Sequence, residues 1–201
     1  MQGAKIGALL AALLALVLGL CGCSLETSAE NLFTLPQVPV EYTGLANTLN
    51  TYLESGYEYI TPSSGNNIQS LQMIDMDGDG EKEAVAFFRH TADDNPLKIL
   101  FFREENGTFS LYSTIESGGS SIDSVSFRDF NGDGRLEVVV GWRVSTEVQT
   151  VAVYELVPNQ VNMLMQSGYL RYVVDDLDSD GWFDLLLIRS EAEGGCLAEH
   201  Y

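Results

Sequence analysis

The sequence predicts an all-β fold of repeated antiparallel units, preceded by a leader segment and one short helix. Three observations support this prediction. A segment of about 20 residues recurs three times, and each copy places strand-like runs on both sides of a short acidic loop. Nine Phe and nine Tyr residues favour strands over helices. Hydrophobic residues make up 45% of the 201 residues, which is enough for a packed core.

Residues 1–22 differ from the rest of the chain and are predicted to form a signal peptide. Ile6 to Leu20 is an apolar run without a polar residue, too short for a typical membrane span but suited to a signal-peptide core. It ends in Leu20-Cys21-Gly22-Cys23, which resembles the lipobox of bacterial lipoproteins. The resemblance implies that Cys23 is lipidated. Cys21 fits less well because bulky Leu20 precedes it, and an uncleaved anchor with incidental cysteines is the alternative.

The next two segments lead into the repeats. Residues 23–43 are polar, contain two prolines and are predicted to be a tether between lipid and domain. Residues 44–67 are predicted to hold a short helix and a lead-in strand, because Leu45, Leu49 and Leu53 are spaced for one helix face that ends near Gly56. After cleavage only Cys196 would remain, so no disulfide framework is expected.

Residues 68–201 are predicted to be the repeat region. Three segments align without gaps: Ile68–Phe87, Ile122–Gly141 and Tyr169–Ile188. Between the loops lie further strand candidates, joined by turns at Asn106-Gly107 and at Pro158-Asn159-Gln160. Each unit therefore holds about four strands, which is typical of a β-propeller blade. The sequence stops within a strand of the third unit, which predicts a truncated reading frame that self-associates. A short protein that closes by dimerising is the alternative.

The acidic loops have the residue types of a calcium site. Each spans nine positions, beginning at Asp75, Asp129 or Asp176. Oxygen ligands at positions 1, 3, 5 and 9, with the backbone carbonyl of position 7, can surround a hard cation, and calcium takes six to eight oxygens. Clustered carboxylates repel one another unless a cation neutralises them. An EF-hand is excluded because position 12, which requires Glu, is Ala86, Val140 or Leu187.

These loops resemble the D-x-D-G-D-G-x-x-D/E units of FG-GAP and VCBS repeats, which build integrin α-chain propellers and occur in many bacterial surface proteins. The resemblance covers residues 68–201 and implies a partial β-propeller of four-stranded blades that binds up to three structural Ca²⁺ ions. It assigns as ligands Asp75, Asp77, Asp79 and Glu83 in the first loop, Asp129, Asn131, Asp133 and Glu137 in the second, and Asp176, Asp178, Asp180 and Asp184 in the third, with the position-7 carbonyls of Glu81, Arg135 and Trp182.

Two loops depart from this pattern. Asn131 lowers the charge of the second site, and Ser179 replaces a glycine in the third. The first loop, which has Asp77 where the second has Asn131, is therefore predicted to bind calcium at least as well as the second.

Composition excludes several functions. The net charge of −19 argues against nucleic acid and against electrostatic docking on anionic lipid. The sequence has no zinc spacing, no G-x-S-x-G, no P-loop and no dinucleotide-binding glycine pattern. Trp142 and Trp182 could stack on sugars, although packing between blades is the simpler interpretation.

The predicted function is therefore a calcium-binding module with a binding or scaffold role and without catalytic residues. It is expected to be exported and held by its lipid at the outer face of the bacterial cytoplasmic membrane or in the cell envelope, with an unknown protein or glycan ligand. The alternatives are the non-catalytic part of an exported glycan-degrading enzyme and a structural subunit of an envelope complex.

Overall fold

The computed structural model describes residues 42–157, 160–191 and 195–201. The predicted signal peptide, Cys23 and nearly all of the tether lie outside these residues. The described elements are α1 (Thr43–Glu54), β1 (Glu58–Tyr59), β2 (Leu71–Ile74), β3 (Glu83–Arg89), β4 (Leu97–Glu105), β5 (Thr108–Ser117), β6 (Ser121–Arg128), β7 (Glu137–Arg143), β8 (Gln149–Val157), β9 (Gln160–Gly168), β10 (Arg171–Asp175), β11 (Asp184–Glu191) and β12 (Gly195–His200). The all-β prediction, with its one short helix, is confirmed.

The strands form three antiparallel sheets that follow the order of the chain. Sheet 1 has the order β3-β4-β5, and the short strands β1 and β2 pair with opposite ends of β3 along its free edge. Sheet 2 has the order β6-β7-β8-β9, and sheet 3 has the order β10-β11-β12. Each sheet is thus a meander of neighbouring hairpins, as the repeat pattern predicts.

Local sequence explains the turn that joins β4 to β5. Asn106 and Gly107 are its two central residues, and both have positive φ angles, of 56° and 79°. This is the conformation that a two-residue hairpin requires and that Asn-Gly adopts most readily. The predicted turn between β4 and β5 is therefore confirmed, while Pro158 and Asn159 of the second predicted turn lie outside the described residues.

The sheets pack face to face, and α1 covers the far face of sheet 1. Leu45 and Leu49, one turn apart on α1, are fully buried against Phe88, Phe102 and Phe109. The other face of sheet 1 shares a core with sheet 2, built from residues such as Phe87, Phe101, Val140 and Trp142. The far face of sheet 2 packs on Leu185 and Leu187 of sheet 3. The layers are therefore α1, sheet 1, sheet 2 and sheet 3.

Candidate metal centre: three acidic loops

Each acidic loop closes a hairpin, between β2 and β3 in sheet 1, β6 and β7 in sheet 2, and β10 and β11 in sheet 3. The strand residues that flank the loop pair in the same register in all three sheets, Ile74 with Glu83, Arg128 with Glu137, and Asp175 with Asp184. Position 9 is therefore always the first residue of the second strand. The gapless alignment of the repeats thus corresponds to a shared structure.

The three loops also share one backbone conformation. At position 4 the φ angles are +73° for Gly78, +72° for Gly132 and +63° for Ser179, and at position 6 they lie between +84° and +96°. A side chain at positive φ costs roughly 1–2 kcal/mol. Ser179 adopts this conformation despite that cost, which shows that the third loop has the same turn without the glycine.

The carboxylate at position 1 organises each loop by accepting backbone hydrogen bonds. In the first loop Asp75 accepts from the amides of Gly78 and Gly80, at 2.8 and 3.1 Å. Asp129 accepts from positions 4 and 6 in the same way, at 2.6 and 2.9 Å. Asp176 accepts from the amides of Asp180 and Gly181, at 3.1 Å each. These contacts hold the chain in a tight ring around the position-1 side chain.

Position 5 closes the second half of the ring. Asp79, Asp133 and Asp180 each accept a hydrogen bond from the position-7 amide, at 2.8 to 2.9 Å. The backbone of the position-7 residues Glu81, Arg135 and Trp182 therefore lies against the position-5 carboxylate of the same loop. The side chains of Glu81 and Trp182 are exposed, and that of Arg135 is half-buried.

The carboxylate at position 9 accepts the amide of position 2 across the loop. Glu83 accepts from Met76, Glu137 from Phe130 and Asp184 from Leu177, at 2.9 Å each. Glu83 and Glu137 are only 1% and 2% exposed, and burial raises the pKa of both carboxyl groups. The Leu177 amide instead lowers the pKa of Asp184.

A different side chain holds the second oxygen of position 9 in each loop. Arg103 Nε donates to Glu83 Oε1 at 3.2 Å, and Asn131 Nδ2 donates to Glu137 Oε1 at 3.3 Å. In the third loop His200 Nε2 lies 2.8 Å from Asp184 Oδ1. The three loops thus share a backbone but differ in how their most enclosed carboxylate is satisfied.

The three loops also differ in the hydrogen bonds of their position-3 side chain. Arg103 Nη2 contacts Asp77 Oδ2 at 2.5 Å, while Asp77 Oδ1 is buried and has no hydrogen-bond partner among the described residues. Asn131 and Asp178 each accept the position-5 amide, at 2.9 and 3.1 Å. An unpartnered buried carboxylate oxygen is costly. Asp77 Oδ1 therefore has unused hydrogen-bonding capacity at a buried position.

Two loops bring enough carboxylates together to hold a metal ion. Ligand oxygens of Asp75, Asp77 and Glu83 all lie within 4.8 Å of one another, as do those of Asp176, Asp178 and Asp180. The second loop does not form such a group of three within the described residues, because an amide replaces its position-3 carboxylate. The residues of the first and third loops therefore fit an oxygen-ligated cation.

The loops touch one another from sheet to sheet. The Leu136 amide of the second loop donates to the Met76 carbonyl of the first at 2.8 Å. The indole of Trp182, from the third loop, lies over Gly132 of the second, so closely that a Cβ at Gly132 would lie 1.6 Å from a ring carbon. The three loops therefore form one continuous row, which we call the acidic row.

Sequence reasoning missed Arg103 and His200. Arg103 lies on β4 and His200 on β12, and both are distant in sequence from the loop they contact. Phe102 pairs with Ala84, so the next residue, Arg103, faces the start of β3 and the loop before it. The contact of Arg103 with the first loop could therefore be found from the register of the β3–β4 hairpin, but not from the loop sequence. Trp142 is buried and its Nε1 donates to Tyr154 Oη at 3.2 Å, which supports its packing role.

A cleft of about 530 Å³ opens between sheets 2 and 3. Its lining includes Asp123, Ser124, Tyr169 and Tyr172. Tyr169 Oη donates to Asp123 Oδ2 at 3.3 Å, and Tyr172 Oη and Ser124 Oγ are 2.7 Å apart. Burial raises the pKa of both tyrosines, so the hydroxyls stay protonated. The cleft is lined by polar, aromatic and aliphatic side chains.

Comparison with known proteins supports the repeat type. Residues 75–140 match the model of the FG-GAP-like repeat family, from position 1 of the first loop into β7. The third loop lies outside the match, and its likeness to the first two loops rests on the shared register and backbone conformation. No curated protein and no solved structure matches the chain. Within the described residues, no helix is long and apolar enough to cross a membrane.

The FG-GAP-like match and the β-rich structure support a propeller-like binding or scaffold role. The three hairpins place their acidic side chains along the acidic row.

Proposed function

We propose that this chain is the calcium-binding, non-catalytic repeat module of an exported lipoprotein, and that it serves as a binding or scaffold domain of partial β-propeller type. The observation that carries the calcium proposal is the convergence of carboxylate oxygens in the first and third loops, each within a 4.8 Å group. The FG-GAP-like match supports it, because acidic loops of this kind often bind Ca²⁺.

Calcium would act by joining parts of a hairpin that otherwise repel one another. In the third loop Asp176, Asp178 and Asp180 would hold the ion. Its double charge would offset the repulsion among three carboxylates within five residues. The ion would thus fix the turn and the start of β11, and it would stabilise the packing of sheet 3 on sheet 2.

The test is thermal unfolding of the full chain with calcium and with chelator. A metal that binds only the folded state adds about 1.4 kcal/mol for one site at a tenfold excess over Kd. For a protein of this size that corresponds to a rise in Tm of roughly 3–6 °C. Extracellular calcium modules bind at about 10⁻⁴–10⁻³ M, so calcium in the millimolar range is required.

Magnesium at the same concentration is the control, because it demands near-octahedral geometry and keeps its waters. Equal melting temperatures in calcium and chelator, with no binding heat in calorimetry, would show that the loops are acidic turns without a metal.

The proposed export and anchoring rest on the apolar run that ends at Cys23. Cys23→Ala is expected to abolish acyl labelling and leave an unprocessed chain, whereas Cys21→Ala should remain labelled. One acyl chain binds a membrane only weakly, so stable anchoring requires more than one. Loss of labelling in Cys21→Ala rather than Cys23→Ala would move the lipidated residue to Cys21.

A further inference from the structure

The first acidic loop contains a cation supplied by the protein itself. Arg103, on β4, contacts Asp77 Oδ2 through Nη2 at 2.5 Å and Glu83 Oε1 through Nε at 3.2 Å. Its guanidinium also lies over the ring of Tyr112, with 4.4 Å between Cζ and the ring centroid. The arginine is therefore held on two sides, by two carboxylates of the loop and by an aromatic face on β5.

The carboxylates that Arg103 contacts are those that a metal would need. Asp77 and Glu83 are two of the three residues in the first carboxylate group. Glu83 uses its other oxygen to accept the Met76 amide, so both of its oxygens already have donors. Of the four carboxylate oxygens of Asp77 and Glu83, Asp77 Oδ1 is the one without a hydrogen-bond partner among the described residues.

In the part of the chain that the structure describes, the other two loops have no arginine or lysine on their carboxylates, and the third has only the imidazole of His200 beside Asp184. The residue of sheet 2 in the register position of Arg103 is Glu155, because Val138 pairs with Tyr154 as Ala84 pairs with Phe102. Glu155 lines the same small cavity between sheets 1 and 2 as Arg103, and it accepts a hydrogen bond from Asn162. Among the described residues, no arginine or lysine forms an ion pair with the carboxylates of the second or third loop.

A fixed guanidinium and a calcium ion on the same carboxylates would repel each other. At a separation of ~5 Å this repulsion weakens metal binding about tenfold or more even with the screening of bulk water, and it is stronger in a half-buried site. The first loop therefore has the least to gain from calcium, although it has the most carboxylates.

We infer that Arg103 is the resident counter-ion of the first acidic loop, which it neutralises in place of a metal, and that calcium binds at the third loop, whose carboxylate group Asp176, Asp178 and Asp180 has no arginine or lysine on it among the described residues. The calcium part of this inference rests on the proposed function. The sequence-based ranking, in which the first loop binds calcium at least as well as the second, does not account for Arg103, because it counted only residues within the loops.

The experiment compares matched position-3 variants, Asp77→Asn in the first loop and Asp178→Asn in the third, by calcium titration calorimetry of the full chain. Asp178→Asn is expected to remove one equivalent of bound calcium, and Asp77→Asn to remove none. Arg103→Gln should add one equivalent, which the double variant Arg103→Gln with Asp77→Asn should lose again. Arg143→Gln is the control, because Arg143 pairs with Asp123 outside the acidic loops and should leave the calcium count unchanged.

Melting in chelator provides a second readout. Arg103→Gln should lower the Tm more than Arg143→Gln does, and Arg103→Lys should recover part of the loss. Calcium should then restore the Tm of Arg103→Gln through the newly available site. If Arg103→Gln fails to fold, the position-3 comparison in the wild-type background still decides the question.

The outcomes distinguish the two proposals. Loss of one calcium equivalent in Asp77→Asn of otherwise wild-type sequence would overturn the inference and leave the proposed function standing, since Arg103 would then orient a metal ligand. Absence of calcium binding in the wild type and in every variant would overturn the proposed function. In that case the chelator melts alone would decide whether Arg103 neutralises the loop, and equal losses for Arg103→Gln and Arg143→Gln would overturn that role too.

Discussion

Gly132 and Gly134 have nearly the same backbone conformation, with φ angles of +72° and +84°, but different surroundings. A Cβ at Gly132 would meet the ring of Trp182, whereas a Cβ at Gly134 would have nothing within 4 Å. Gly134→Ala should therefore cost only the positive-φ penalty, about 1 kcal/mol. Gly132→Ala should cost about 1–3 kcal/mol more, because the indole must leave its position. Urea unfolding of the two variants measures this difference.

A Trp182→Ala background provides the control. Without the indole, Gly132→Ala should cost about as much as Gly134→Ala, so a double-mutant cycle should isolate the contact between the second and third loops. If the extra cost of Gly132→Ala persists in that background, the contact between the loops is not its cause.

The ligand pattern alone could not show which hydrogen-bond donor each acidic side chain of a loop accepts. The sequence treats positions 1, 3, 5 and 9 as equivalent oxygen donors. In the structure positions 1, 5 and 9 accept backbone amides in every loop, and position 3 is the variable one. Its partner is Arg103 in the first loop and a backbone amide in the other two. The difference arises from a strand 20 residues after Glu83, beyond the reach of a local motif.

Among the secondary-structure elements, the hairpins around the acidic loops were the most predictable. An acidic loop with apolar runs on both sides sets strand, turn and strand at once, and the same register follows in all three sheets. Asn106-Gly107 likewise specifies its own turn. The edge of sheet 1 was less predictable, because β1 and β2 share one edge of β3 and β1 is only two residues long.

The helix was predictable from its spacing but its packing partner was not. Leu45 and Leu49 indicate a buried face, yet nothing in residues 43–54 specifies which sheet covers it. In the structure Thr48 Oγ1 donates to the Phe109 carbonyl at 2.8 Å, which ties α1 to β5. The apolar cluster beneath the helix also includes Phe88 and Phe102. Contacts of this kind join distant segments, and a single sequence carries no direct record of them.

For the whole molecule, the order of the layers determines how much of each sheet is buried. Sheet 1 lies between α1 and sheet 2, and sheet 2 lies between sheets 1 and 3. On sheet 3, Leu185 and Leu187 are the buried hydrophobic residues, while Val173 and Leu197 are 46% and 38% exposed. Because burial of apolar area drives folding, sheet 3 has the least stabilisation from packing.

This difference predicts a gradient of local stability that hydrogen exchange can measure. The fair comparison uses β3, β7 and β11, because each is hydrogen-bonded to strands on both sides within its sheet. In β3 and β7 six of seven residues are buried, whereas in β11 only Leu185 and Leu187 are. In chelator the amides of β11 should therefore exchange faster than those of β3 and β7, through local opening that leaves sheets 1 and 2 folded.

Calcium should reduce this difference in exchange rate by slowing exchange in sheet 3 alone. An ion held by the third loop would fix Asp176 to Asp180 directly before β11, so calcium should slow exchange in β10 and β11. Exchange in β3 should change little, since Arg103 already neutralises the loop before it. Asp178→Asn should abolish the effect of calcium on β11. Equal exchange of β3, β7 and β11 in chelator would instead mean that the three sheets unfold as one cooperative unit, despite their unequal burial.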